Sequence, residues 1–229
     1  MTNGKLIAAI DTPELDRAGA LVRGLSPHCG LVKLGLEFFL RHGPAGFAEA
    51  AQGQPVFLDL KLHDIPNTVA GAVRSLLPLG AEMLTIHAGG GAKMIAAAVA
   101  AAGTATWRPK ILAVTVLTSL DEAGLAELGV AGGPAKQVLR LARVALDNGA
   151  DGLVCSPHEI ALLRDAFGAK PILVVPGIRP AGAALGDQAR VMTPEQAVKA
   201  GADYIVVGRP ITEAADPVVA AAAIAASIR

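Results

Sequence analysis

The chain has 229 residues, 52% of them hydrophobic, which excludes a disordered protein and leaves room for one α/β barrel or one to two smaller domains. Twenty basic and twenty acidic residues cancel, so there is no electrostatic footprint for a polyanion, and 3% aromatic residues argue against stacking platforms for single-stranded nucleic acid. The N-terminus has too short an apolar run for a signal peptide, and the Ala-rich run at 218–228 falls well short of the roughly 18 residues that span a bilayer, so a cytoplasmic protein without membrane or nucleic-acid partners is expected.

Short β-rich runs alternate with helical segments along the whole length. The first strand is expected at 6–11, before a helix opening at Thr12-Pro13-Glu14. The second, 30–35, leads into a helix at 38–51, and the third, 56–62, into a helix at 65–79. The fourth, 83–87, is followed by Gly89-Gly90-Gly91 and a helix to Ala102. The fifth, 111–118, precedes a longer helical segment ending near Asn148-Gly149. The sixth, 152–156, is paired with a helix at 159–167. The seventh, 172–178, gives way to a Gly/Pro/Ala-rich loop at 179–193 and a helix at 194–200. The eighth, 204–207, ends in Gly208-Arg209-Pro210 and a last Ala-rich helix.

Eight near-continuous apolar strands, each followed by a helix, indicate a parallel sheet covered on its outside. Eight units in this length indicate a closed (β/α)8 TIM barrel, a single domain over 1–229. The alternative is a doubly wound open sheet. Against it, Asp11-Thr12-Pro13 stands where a GxGxxG turn would follow the first strand.

The third strand carries the chemistry. Asp59 and Lys61 are two apart, so in a strand both project from one face while Leu58, Leu60 and Leu62 point to the other. Asp64 follows, and Ile65-Pro66 opens a helix. Burying charges costs several kcal/mol per ion, roughly, unless they are paired. A structural ion pair is the plain reading of Asp59 and Lys61; a catalytic pair is the sharper one, favoured by the third charge beside them.

Other polar residues gather at strand ends: Asp11, Lys33, His87, Thr118, Arg179 and Arg209. In a barrel those ends share the face that holds the active site. Each has a plainer reading. Asp64 alone reads as a helix cap, Thr68 as a first-turn surface residue, Lys33 as a snorkelling side chain, and Asp11-Thr12-Pro13 as a cap. His63 and His87 read as loop and packing residues. The loops after strands seven and eight often bind phosphate in such barrels, and Gly208-Arg209 and Arg179 lie there. The loop at 179–193 is long enough to suspect a lid, with Gln188 and Arg190 as further anion contacts, Arg190 reading more simply as a surface charge. Cys29 and Cys155 lie far apart, and the five histidines form no HxH or HExxH group, so neither a disulfide framework nor a zinc site is indicated.

The run Phe57-Leu58-Asp59-Leu60-Lys61-Leu62-His63-Asp64-Ile65-Pro66-Asn67-Thr68 resembles the signature of the orotidine 5′-phosphate decarboxylase family, with D-x-K-x-x-D-I-P-x-T intact. The resemblance extends through Val32-Lys33-Leu34-Gly35, His87-Ala88-Gly89-Gly90, Val175-Pro176-Gly177-Ile178-Arg179 and Val207-Gly208-Arg209-Pro210, in the manner of the bacterial branch. It implies a homodimeric enzyme that converts orotidine 5′-monophosphate to UMP and CO2 without metal or organic cofactor. It implies that Lys61 protonates C6, that Asp59 sits against the substrate carboxylate, and that Lys33 and Asp64 complete an alternating array. Asp64, Ile65 and Thr68 would reach the partner subunit's site. Asp11 and Lys33 would hold ribose hydroxyls, Thr118 the pyrimidine edge, and Gln188, Gly208, Arg209 and Arg179 the phosphate. Two rivals stand beside it: a related barrel enzyme acting on keto-sugar phosphates with magnesium, and a non-catalytic phosphometabolite-binding barrel.

Overall fold

The computed structural model describes residues 4–180 and 192–228. Its strands are β1 (Leu6–Ile10), β2 (Leu31–Gly35), β3 (Val56–Leu62), β4 (Met83–His87), β5 (Lys110–Val114), β6 (Gly152–Val154), β7 (Ile172–Val175) and β8 (Tyr204–Val207). They pair in parallel in sequence order, and β1 pairs with β8 to close the barrel. The helices are α1 (Leu15–Leu25), α2 (Leu36–Ala51), α3 (Pro66–Leu76), α4 (Gly91–Ala102), α5 (Glu122–Glu127), α6 (Gly133–Asp147), α7 (Ile160–Phe167), α8 (Pro194–Ala200), α9 (Arg209–Thr212) and α10 (Pro217–Ser227). The single (β/α)8 barrel expected from the alternation is what the chain forms.

Strand alternation divides the apolar residues into two layers. Leu6, Ala8, Ile10, Leu58, Leu60 and Leu84 belong to the layer between sheet and helices. Ile7, Ala9, Leu31, Phe57, Met83, Leu112, Val174 and Val206 fill the barrel interior. The interior plug is apolar, so any charge borne by the same inward faces must appear one layer higher, at the C-terminal mouth.

Local chemistry sets several element ends. Pro66 occupies the first turn of α3, where its missing N–H is no loss. Thr193 and Gln196 form a capping box at α8, and the Asp216 carboxylate accepts from the Val218 and Val219 N–H groups to start α10. Gly43 departs from helical geometry next to Pro44 and kinks α2. Strands five to seven are shorter than expected, ending at Val114, Val154 and Val175. At β7 the cause is Pro176, which has no N–H for the ladder. The long helical segment before Asn148 is two helices, and the last Ala-rich one is split before Pro217.

Candidate active site

β3 departs from a regular strand where its charges begin. Leu58 pairs with Leu84 but Leu62 pairs with Ile86, so four steps on β3 match two on β4. Lys61 lies within this bulge at φ 51, a left-handed conformation that is unfavourable for a side-chain-bearing residue by roughly 1–2 kcal/mol. Asp59 and Lys61 nevertheless share the inward side, as their spacing suggested.

The Asp59 carboxylate is the hub. Both of its oxygens accept from Lys61 Nζ at 2.8 Å, and Lys33 Nζ lies 3.3 Å from Oδ2. Lys33 Nζ also lies 3.5 Å from Asp11 Oδ1. The result is an alternating row, Asp11, Lys33, Asp59, Lys61, across β1, β2 and β3. Burial opposes the charge on Asp59, but Lys33 and Lys61, with hydrogen bonds from Lys61 and Thr85, hold its pKa below the usual carboxylate value. Burial likewise opposes the charge on Lys33, and Asp59 and Asp11 outweigh it, so its pKa is raised. The stabilising contribution of Asp59 is thus present above pH 3.8 and lost as pH falls through its folded pKa. That of Lys33 is present below pH 10.5 and lost as pH rises through its folded pKa.

Opposite the row the walls change character. A mouth cavity of about 440 Å3 is lined on one side by Asp11, Lys33, Asp59 and Lys61, and on another by Val114, Val116, Val154, Val174 and Pro176. Arg179, Gly208 and Arg209 also line it, with Gly208 beside Asp11. Burial first, then repulsion from Arg209, lowers the pKa of Arg179. Two guanidinium groups lining one cavity are a candidate anion subsite. Gly177, at φ 79, turns the chain out of β7 toward Arg179. Thr118 lines the same cavity. So does Cys155, whose thiol burial keeps protonated and inert.

Asp64, Ile65 and Thr68 do not line this cavity. All three are exposed, and Ile65 is 66% accessible. The Asp64 carboxylate accepts from the Ile65 N–H at 2.6 Å, while Ile65 itself is the N-cap of α3, without a side-chain cap. Asp64 is therefore not the helix cap it alternatively suggested. Nor does Asp11-Thr12-Pro13 cap α1, whose N-cap is Glu14; the Asp11 side chain turns to Lys33 instead. Gln188 and Arg190 lie outside the described residues. The residues that sequence reasoning passed over are Thr85, which bonds to Asp59, and Glu213, at the cavity rim. Thr85 had one legible signal: a hydroxyl within the otherwise apolar Met83-Leu84-Thr85-Ile86.

His63 and His87 stack with ring centroids 5.3 Å apart, inclined by 31°. Burial, followed by His63 and Lys61, pushes the pKa of His87 below its usual value of 6.5, against an opposing pull from Asp59. The unfolded chain takes up this proton near pH 6.5, and the folded chain resists it. The stability His87 contributes is therefore complete above pH 6.5 and is lost as pH falls through the folded pKa. Thermal melts between about pH 7.5 and 5 should show Tm falling, and His87→Gln should flatten that fall. Equal slopes in both proteins would acquit His87.

Fold and mouth together define a (β/α)8 barrel protein whose C-terminal mouth holds a charged Asp/Lys row and two arginines around one cavity. Residues 4–224 match the orotidine 5′-phosphate decarboxylase / HUMPS family. The protein named orotidine 5′-phosphate decarboxylase from Anaeromyxobacter sp. (strain K) is 58% identical over 225 residues, covering 98% of both chains. Its namesake from Gluconobacter oxydans is 55% identical over 96% of this chain and 95% of its own. The crystal structure of orotidine 5′-phosphate decarboxylase from Lactobacillus acidophilus superposes with a TM-score of 0.87 at 39% identity, over 98% of each chain. The chain belongs to the orotidine 5′-phosphate decarboxylase / HUMPS family.

Proposed function

We propose that this protein decarboxylates orotidine 5′-monophosphate to UMP and CO2 in pyrimidine biosynthesis, in the cytoplasm and without a cofactor. The observation that carries the reading is the Asp59 carboxylate held between Lys33 and Lys61 in a cavity that Arg179 and Arg209 also line. The nucleotide phosphate takes the Arg179 and Arg209 guanidinium groups, with Gly208 and Gln188. The pyrimidine edge meets Thr118, and ribose hydroxyls meet Asp11 and Lys33. The reacting carboxylate is thereby delivered to Asp59 and Lys61.

Loss of CO2 breaks the bond at C6 and leaves its electron pair in the ring plane, with no adjacent carbonyl to accept it. Without an organic electron sink, fixed charge must stabilise the pair. The Lys61 ammonium does so and then transfers one of its protons to C6; solvent restores it. Asp59 lies against the substrate carboxylate. Two like charges about 4 Å apart repel by roughly 4 kcal/mol at an effective dielectric of 20. That repulsion fades as neutral CO2 departs, so it favours the transition state over the ground state. Phosphate binding, remote from the reacting carbon, offsets the unfavourable ground-state contact. Asp64, Ile65 and Thr68 serve the partner subunit's cavity in a homodimer, which accounts for their exposure on a lone chain.

The test is loss of the orotate absorbance when purified protein meets orotidine 5′-monophosphate. Turnover that survives prior EDTA treatment is expected. Absence of turnover refutes the activity; activity only with added magnesium and a keto-sugar phosphate would assign the chain to the other branch of its family.

A further inference from the structure

Thr85 lies at the middle of β4, fully shielded from solvent. Its hydroxyl accepts from the Lys61 N–H at 2.8 Å and donates to Asp59 Oδ1 at 2.9 Å. A hydroxyl has one proton and two lone pairs, so it makes both bonds at once. One small group thus grips the main chain of Lys61 and the side chain of Asp59.

Two further features coincide at this point. β3 loses register with β4 between Leu58 and Leu62, and Lys61 is left-handed in the interval. A bulge takes residues out of the ladder, so their N–H groups need other acceptors. The Lys61 N–H finds the Thr85 hydroxyl. The same hydroxyl occupies part of Asp59 Oδ1, which limits how the carboxylate can rotate between Lys33 and Lys61. Without this contact both the strained backbone and the carboxylate could relax, each shifting the Lys61 ammonium.

We propose that Thr85 is a positioning residue for the decarboxylation, setting where the Lys61 ammonium and the Asp59 carboxylate stand relative to one another. The inference rests on the decarboxylase reading given above. Thr85 lines no part of the cavity, so its effect falls on the chemical step and not on nucleotide binding. Valine retains the shape of threonine and lacks the hydroxyl; serine retains the hydroxyl and lacks the methyl.

Thr85→Val should lower kcat about 100-fold, with KM changed less than about threefold. Thr85→Ser should recover kcat to within about fivefold of the wild type. Independently of turnover, amide hydrogen exchange at Lys61 should quicken at least about tenfold in Thr85→Val and be restored in Thr85→Ser. Wild-type kcat in Thr85→Val, or a serine variant as slow as the valine variant, overturns the proposal. Should valine prevent folding, Thr85→Ala is compared with Thr85→Ser by the same readouts and criteria. If the wild type itself releases no CO2, the decarboxylase reading fails alone; Lys61 exchange then decides for Thr85, and unchanged exchange in the valine variant overturns its role.

Discussion

Lys61→Ala should reduce kcat by at least about 10^4-fold while leaving the barrel folded. On the proposed mechanism two contributions vanish together: the charge that stabilises the C6 electron pair and the proton that quenches it. The fold survives because Asp59 is not abandoned. In the unsubstituted chain Lys33 Nζ lies 3.3 Å from Oδ2 and the Thr85 hydroxyl bonds to Oδ1 at 2.9 Å, and neither contact involves Lys61. Breaking a buried pair outright costs about 3–5 kcal/mol, but here the carboxylate keeps a second cation. Steady-state kinetics with a thermal melt check both halves of the expectation. A variant that retains more than about 1% of wild-type kcat would remove Lys61 from the chemical step.

Mixing two dead variants should restore activity. Asp64 and Lys61 are only three residues apart, yet Lys61 lines the cavity and Asp64 does not. If Asp64 serves the partner subunit, Asp64→Ala and Lys61→Ala subunits will each be inactive alone. A hybrid dimer, however, contains one site built wholly from unmodified residues. Random pairing makes half the dimers hybrid, each with one working site of two, so about a quarter of wild-type activity should return. Co-expression or co-refolding of the two variants followed by the absorbance assay provides the number. No recovery from a confirmed hybrid would place Asp64 in its own subunit's site.

Lys61 also marks the boundary of what the sequence could disclose. The spacing of Asp59 and Lys61 put both on one face, and they do share the barrel interior. Period-two reasoning did not foresee how: the strand bulges, and Lys61 takes a left-handed backbone that residue type gives no reason to expect. β3, β4 and β8 have the boundaries read from their apolar runs, because charged or turn-forming residues delimit them sharply. β5 to β7 were read too long, because apolar residues continue past the last ladder bond to line the cavity, as Val116 and Pro176 do. Lys33 and Asp11 were each open to a plainer reading, and only the pairing of β2 between β1 and β3 sets Lys33 between the Asp11 and Asp59 carboxylates. Thr85 escaped notice because a lone threonine in a strand is ordinary β chemistry; its meaning depends on the two residues beside it on the neighbouring strand.

The charged row and the two arginines serve one substrate only if a single nucleotide spans them. A crystal structure of the protein with UMP bound tests this most directly. The expected result is the phosphate between Arg179 and Arg209, with the Lys61 amine in contact with C6 of the pyrimidine. A nucleotide seated with its ring away from Lys61, or its phosphate away from the two arginines, would contradict it.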